Sequence, residues 1–68
     1  MKKIKIILVD DHQLVRDGIK ALLSGISDRE IIGEASDGKE LFQQLNTLKP
    51  DLLIMDIFLF FKTFTPVF

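Results

Sequence analysis

Two short apolar runs, each closed by acid, constrain this chain more than anything else in it. Ile4–Val9 leads straight into Asp10 and Asp11, and Leu52–Met55 leads straight into Asp56. The first run is rich in Ile and Val and shows little alternation, so it reads as a strand buried on both faces, as parallel strands are. Lys5 interrupts it only near its start. A carboxylate at the exit of such a strand loses hydration, which is costly. Acids at the exits of both strands therefore predict a shared pocket, and a pocket of carboxylates suits a hard divalent cation.

The segments between the runs set the architecture. The spacing over Gln13–Ser24 predicts a helix, with Leu14, Gly18 and Leu22 on one face and Val15, Ile19 and Leu23 beside them. Asp11 or His12 is placed to cap its start, and Gly25 suits a left-handed stop. Gly18 lowers helix propensity by about 1 kcal/mol against Ala, which predicts a close approach of helix to sheet as compensation. Glu30–Ala35 reads as a second strand around Ile31 and Ile32. Asp37 then caps a helix from Gly38 to about Leu48, with Glu40 three residues on as in a capping box. Leu41, Leu45 and Leu48 form its buried face with Phe42 adjoining, and Pro50 ends it.

The order is β-α-β-α-β, an α/β unit. Crossovers between parallel strands are right-handed in nearly all cases. With strand one in the middle, the strands run 2-1-3 and the helices cover both faces. The carboxyl ends of strands one and three then carry Asp10, Asp11 and Asp56 side by side. Ligands of such sheets bind at that switch point.

Composition narrows the rest. The chain has 68 residues, enough for one small domain, and no cysteine, which excludes disulfides and thiolate metal sites. Its net charge of −1 shows no bias toward polyanions. No apolar stretch reaches the ~20 residues of a membrane helix, and Asp10 and Asp11 interrupt the apolar run after Met1-Lys2-Lys3 too early for a signal peptide, with no small-residue cleavage site following. These features predict a soluble, cytoplasmic protein without membrane contact. Composition also changes abruptly after Asp56: residues 57–68 contain no acid, one Lys and five of the six Phe.

Residues 4–57 resemble the first half of a bacterial response-regulator receiver domain. The opening VDDHQLVRDGIKALL and the stretch EASDGKELFQQL…KPDLLIMDI are most similar to the subfamily with a C-terminal helix-turn-helix of the LuxR/NarL type. The acidic pair after strand one, the Ala-x-Asp-Gly turn and the Pro-Asp-(apolar)-Asp pattern occur in register. The resemblance implies a partial flavodoxin-like βαβαβ fold over residues 1–57. It also implies Asp56 as phosphoacceptor, with Mg²⁺ held by Asp11 directly, Asp10 through water, Asp56 and the backbone carbonyl of Phe58. A sensor histidine kinase is the implied partner.

The chain departs from the family at Phe60, where Pro is usual, and at Phe64, where Gly is usual. Residues 58–68 are expected to be a divergent Phe-rich tail, the pattern a truncated or frameshifted gene would produce. The tail is expected to cover the open edge of the third strand or to pack loosely, and an uncovered edge invites self-association. The hydroxyl residue ending strand four and the Lys ending strand five have no counterpart here. Lys62, Thr63 and Thr65 lie in the wrong segment to replace them. No DNA-binding domain follows, so direct DNA binding is not expected of this chain.

Plainer readings stand beside these. The acids also serve as ordinary strand-end and cap residues, and His12 is expected to face solvent with no catalytic role. Ser36-Asp37-Gly38 reads as a helix cap rather than a phosphate cradle, since no Gly-rich phosphate motif is present. Three functions follow in order. The first is a receiver fragment phosphorylated at Asp56 in a two-component phosphorelay. The second is a non-phosphorylated fragment that binds a kinase or a full-length regulator. The last is a Mg²⁺-dependent phosphohydrolase, which would need further acids and a later Lys. The chain is not read as an enzyme.

Overall fold

The computed structural model describes residues 2–64, the side chain of Phe64 excepted. The chain runs β1 (Ile4–Val9), α1 (Gln13–Leu23), β2 (Arg29–Ala35), α2 (Gly38–Leu45), β3 (Leu52–Met55) and α3 (Ile57–Phe64). All pairings are parallel and the sheet order is β2-β1-β3, as expected. β1, the central strand, is the apolar run that looked buried on both faces, and Ile6 to Val9 are at most 1% exposed. Asp51 anchors the backbone of the strand near its start. The Lys5 N–H donates to Asp51 Oδ2 at 2.9 Å, and the Asp51 N–H donates to the Lys5 carbonyl at 2.8 Å, which pins the start of β3 to β1.

The main core lies on one face of the sheet. Ile7 and Val9 of β1 meet Ala35, Leu41 of α2 and Leu59 of α3, with Leu45, Leu48, Leu53 and Met55 packed around them. Full burial of a side chain such as Leu41 contributes about 1.5–3 kcal/mol. Asp37 caps α2 as expected, accepting the Glu40 N–H at 2.8 Å. Glu40 reaches back to the Ser36 N–H at 2.6 Å, one residue before the position a capping box would use. The Ser36 hydroxyl, which donates to the same Glu40 oxygen, and then the Ser36 N–H hold the Glu40 carboxyl below the usual glutamate range. α2 ends at Leu45, and its last turn continues as Thr47 and Leu48 N–H groups both donating to the Gln44 carbonyl.

The opposite face belongs to α1, which docks differently from the expectation. Leu14 and Leu22 are 84% and 78% exposed, so the row through Gly18 faces away from the sheet. The inward side is Arg16, Ile19, Lys20 and Leu23, all half-buried. Arg16 Nε and Lys20 Nζ bind the two carboxylate oxygens of Glu34 on β2 at 3.1 and 2.9 Å. Glu34 pairs with Leu8 in register and so shares its face. The ion pairs rotate α1 so that its flanking apolar row, not the leading one, meets the sheet.

Three local expectations are corrected. Nothing lies within 4 Å of a Cβ built on Gly18, so no close approach occurs there. The close approach is at Gly33, where a Cβ would stand 2.6 Å from Gln44 Oε1 and 2.9 Å from Leu48 Cδ1. Gly25 is not left-handed, because α1 closes on Ser24 in right-handed geometry, with its hydroxyl donating to the Ala21 carbonyl. His12 occupies the position that precedes α1, yet no side chain caps the helix.

The tail also differs from the expectation. Rather than lining the edge of β3 or packing loosely, Ile57–Phe64 forms α3 against α2, with Leu59 in the core. Thr63 sits over Gly38, whose missing side chain makes the room. Phe58 and Phe61 are mostly exposed. Residues 65–68, including Thr65, lie outside the described residues. The outer edge of β3 has no strand partner among the described residues.

Candidate functional site at the strand ends

Register brings the acids together. Val9 pairs with Met55, so Asp10 and Asp56 leave neighbouring strands at the same level. The ladder continues one step past each strand: the Asp10 N–H donates to the Ala35 carbonyl at 3.0 Å, and the Asp56 N–H to the Val9 carbonyl at 3.1 Å. One ligand atom from each of Asp10, Asp11, His12 and Asp56 lies within 4.8 Å of the others. A hydrophobic cavity of about 220 Å³ lined by Leu8, Ile19 and Ile54 adjoins Asp10 and Asp56.

The members differ in setting. Asp10 is buried, 7% exposed, and its Oδ1 accepts the His12 N–H at 2.8 Å. Asp11 and His12 are exposed, and Asp56 is half-buried. His12 Nδ1 lies 3.1 Å from Asp10 Oδ1 and 2.9 Å from Asp11 Oδ1. His12 therefore faces solvent, as expected, but its ring also joins the acidic group. Adjacency in the chain was the signal available for that. Asp56 Oδ1 accepts the Phe58 N–H at 2.7 Å.

Phe58 stands in the first turn of α3. A helical carbonyl points along the axis toward the N–H four residues on. The Phe58 carbonyl is thus directed along α3, and the group Phe58 offers to Asp56 is its N–H. The hydroxyl of Thr63 donates to the Leu59 carbonyl within α3, and the helix holds it there.

The sequence reading missed Arg16 and Glu34. Arg16 Nη1 donates to the Asp10 carbonyl, beside the acidic group. Glu34 is held below the usual glutamate range by the Lys20 ammonium first and the Arg16 guanidinium after it, against the opposing effect of burial. A charged residue inside the predicted strand at position 34 was the only hint.

A doubly wound parallel sheet with carboxylates converging at its switch point defines a class of small signalling and ligand-binding α/β domains. The chain belongs to the response regulator receiver domain family, whose pattern matches residues 6–59. It is 50% identical over 54 residues to the response regulator protein VraR of Staphylococcus aureus strain Mu3, a match covering 79% of this chain and 26% of that relative. The Salmonella typhimurium RcsB response regulator superposes with a TM-score of 0.78 at 34% identity, over 82% of this chain and 28% of that one. The signal receiver domain of NarL from Mycobacterium tuberculosis gives 0.76 at 30% identity, over 82% and 45%. The chain thus spans about a quarter of the length of the curated relatives it matches. No helix among the described residues is long and apolar enough to cross a membrane.

Proposed function

We propose that Asp56 accepts a phosphoryl group from the phosphohistidine of a sensor kinase, in a cytoplasmic two-component phosphorelay, with Mg²⁺ held by Asp10, Asp11 and Asp56. The observation that carries this reading is the register of β1 and β3, which sets Asp56 beside the acidic pair. The donors fit the ion: the carboxylate oxygens of Asp10, Asp11 and Asp56, which lie within 4.8 Å of one another, are the hard ligands that Mg²⁺ takes. The Phe58 carbonyl completes the proposed ligand set only if the first turn of α3 unwinds.

An oxygen of Asp56 attacks phosphorus while the bond from phosphorus to the kinase imidazole breaks. The electron pair stays on the departing nitrogen, and the product is an acyl phosphate on Asp56. Oδ1 holds the start of α3, which leaves Oδ2 for the attack. Burial of Asp10 shields its carboxylate from bulk solvent, so that it attracts a bound cation more strongly. When bound, Mg²⁺ neutralises charge on the phosphoryl oxygens, and the protein contributes positioning more than covalent chemistry.

Incubation with a small-molecule phosphodonor and Mg²⁺ should add one phosphoryl mass to the chain, and Asp56→Asn should abolish it. A wild-type chain that gains no mass refutes the reading.

A further inference from the structure

Resting on the proposed Mg²⁺ site, we infer that Arg16 is a positioning residue for it: anchored by Glu34, its guanidinium holds the peptide between Asp10 and Asp11 so that both carboxylates face Asp56. Arg16 is in the first turn of α1, and its side chain is only 13% exposed. Its donors go three ways. Nη1 reaches the Asp10 carbonyl, Nε reaches Glu34 Oε1 at 3.1 Å, and Nη2 reaches Gln13 Oε1 at 2.6 Å. One rigid group therefore ties together the end of β1, the start of α1 and β2.

The bond to Asp10 falls where the backbone most needs support. The sheet ladder ends at the Asp10 N–H, and α1 begins only at Gln13. The peptide carrying the Asp10 carbonyl joins the two neighbouring acids of the site, so a small rotation of it moves both carboxylates. Glu34 keeps the guanidinium in place, and Lys20 holds the other Glu34 oxygen at 2.9 Å. A planar fork can serve a carbonyl and a carboxylate together, whereas an ammonium on a flexible stem cannot reproduce both contacts.

Charge alone predicts the opposite outcome. Arg16 is a cation beside a pocket for a cation, so Coulomb repulsion says that removing it should tighten Mg²⁺ binding. Positioning says that removal should loosen it. The sign of the effect separates the two.

The test is a Mg²⁺ titration of the whole chain, read from the amide resonances of Asp10, Asp11 and Asp56, alongside a urea melt of each variant. Arg16→Ala and Arg16→Lys should each bind Mg²⁺ about ten-fold more weakly, in the range found when groups that orient metal ligands are removed. The Asp10 carbonyl ¹³C resonance should move in both before metal is added. Glu34→Gln, which still offers Arg16 an acceptor, should weaken binding less. If Arg16→Ala unfolds, Arg16→Lys keeps the charge and the stem and carries the comparison. Tighter or unchanged binding in the folded variants overturns the role of Arg16 alone. A wild-type chain with no Mg²⁺-dependent shifts at the three aspartates overturns the site itself, and this inference with it.

Discussion

Asp56 Oδ1 accepts the Phe58 backbone N–H at 2.7 Å, with the Leu59 N–H at 3.5 Å, so the carboxylate proposed to take phosphorus also caps α3. Its two roles separate by substitution. Asp56→Ala removes the cap and should destabilise α3 by about 0.5–2 kcal/mol, whereas Asp56→Asn retains an acceptor and should keep the helix. Amide hydrogen exchange at Phe58 and Leu59 reads this directly: faster in the Ala variant, near wild type in the Asn variant. Saturating Mg²⁺ should also speed exchange there in the wild type, because the metal competes for the capping carboxylate. Protected amides at saturating Mg²⁺ would rule out Phe58 as a metal ligand.

The Glu34 cluster predicts a pH dependence. The native Glu34 carboxyl lies below its ordinary value of 4.5, chiefly because Lys20 hydrogen-bonds it. A depressed carboxyl stabilises the fold fully above its unfolded pKa and loses that contribution as pH falls through the native one. The urea midpoint should therefore drop below about pH 4.5, and Glu34→Gln should flatten part of that drop at a lower plateau. A variant that keeps the full acid-side slope would show that Glu34 does not contribute.

Two leucines on successive helices, on opposite faces of the sheet, should behave oppositely. Leu41 is 0% exposed in the core, and Leu14 is 84% exposed on α1. Leu41→Ala should cost about 2–5 kcal/mol, a large share of the stability of a chain this small. Leu14→Ala should change stability by no more than about 0.5 kcal/mol. Chemical denaturation of both variants checks the contrast, and a similar cost for the two would mean that α1 docks through its leading apolar row after all.

Two glycines give a second contrast. Gly18→Ala meets nothing within 4 Å and should stabilise α1 by about 0.5–1 kcal/mol through helix propensity. Gly33→Ala places a methyl 2.6 Å from Gln44 Oε1 and 2.9 Å from Leu48 Cδ1, so the ends of both side chains must shift. It should destabilise by about 1–3 kcal/mol, as overpacking does. Thermal melts that rise for both variants would contradict the account of Gly33.

The elements that could be read from residue order alone are those whose signal is local. The bounds of β1 and β3 match the apolar runs, and Ile6 to Val9 of the central strand are buried on both faces, as such a run predicts. Asp37 caps α2 because an Asp before a helical pattern has a donor within reach wherever the helix lies. The rotation of α1 was not available in this way. Rows of Leu14–Gly18–Leu22 and Ile19–Leu23 are both apolar, and the choice between them rests on Glu34, 18 residues beyond Arg16. The tail was misjudged for the same reason: α3 is held by Leu59 in a core that the other segments build.

Residue order by itself determined the succession of strands and helices and the acids that end the strands, because those signals are local; the 2-1-3 sheet order followed once the family resemblance put strand one in the middle. Tertiary structure alone decided that Asp56 lies within 4.8 Å of the acidic pair. It also decided that α1 turns its arginine inward, toward Glu34 of β2. Those outcomes depend on distances between segments remote in the chain, and no local pattern of residues encodes such a distance.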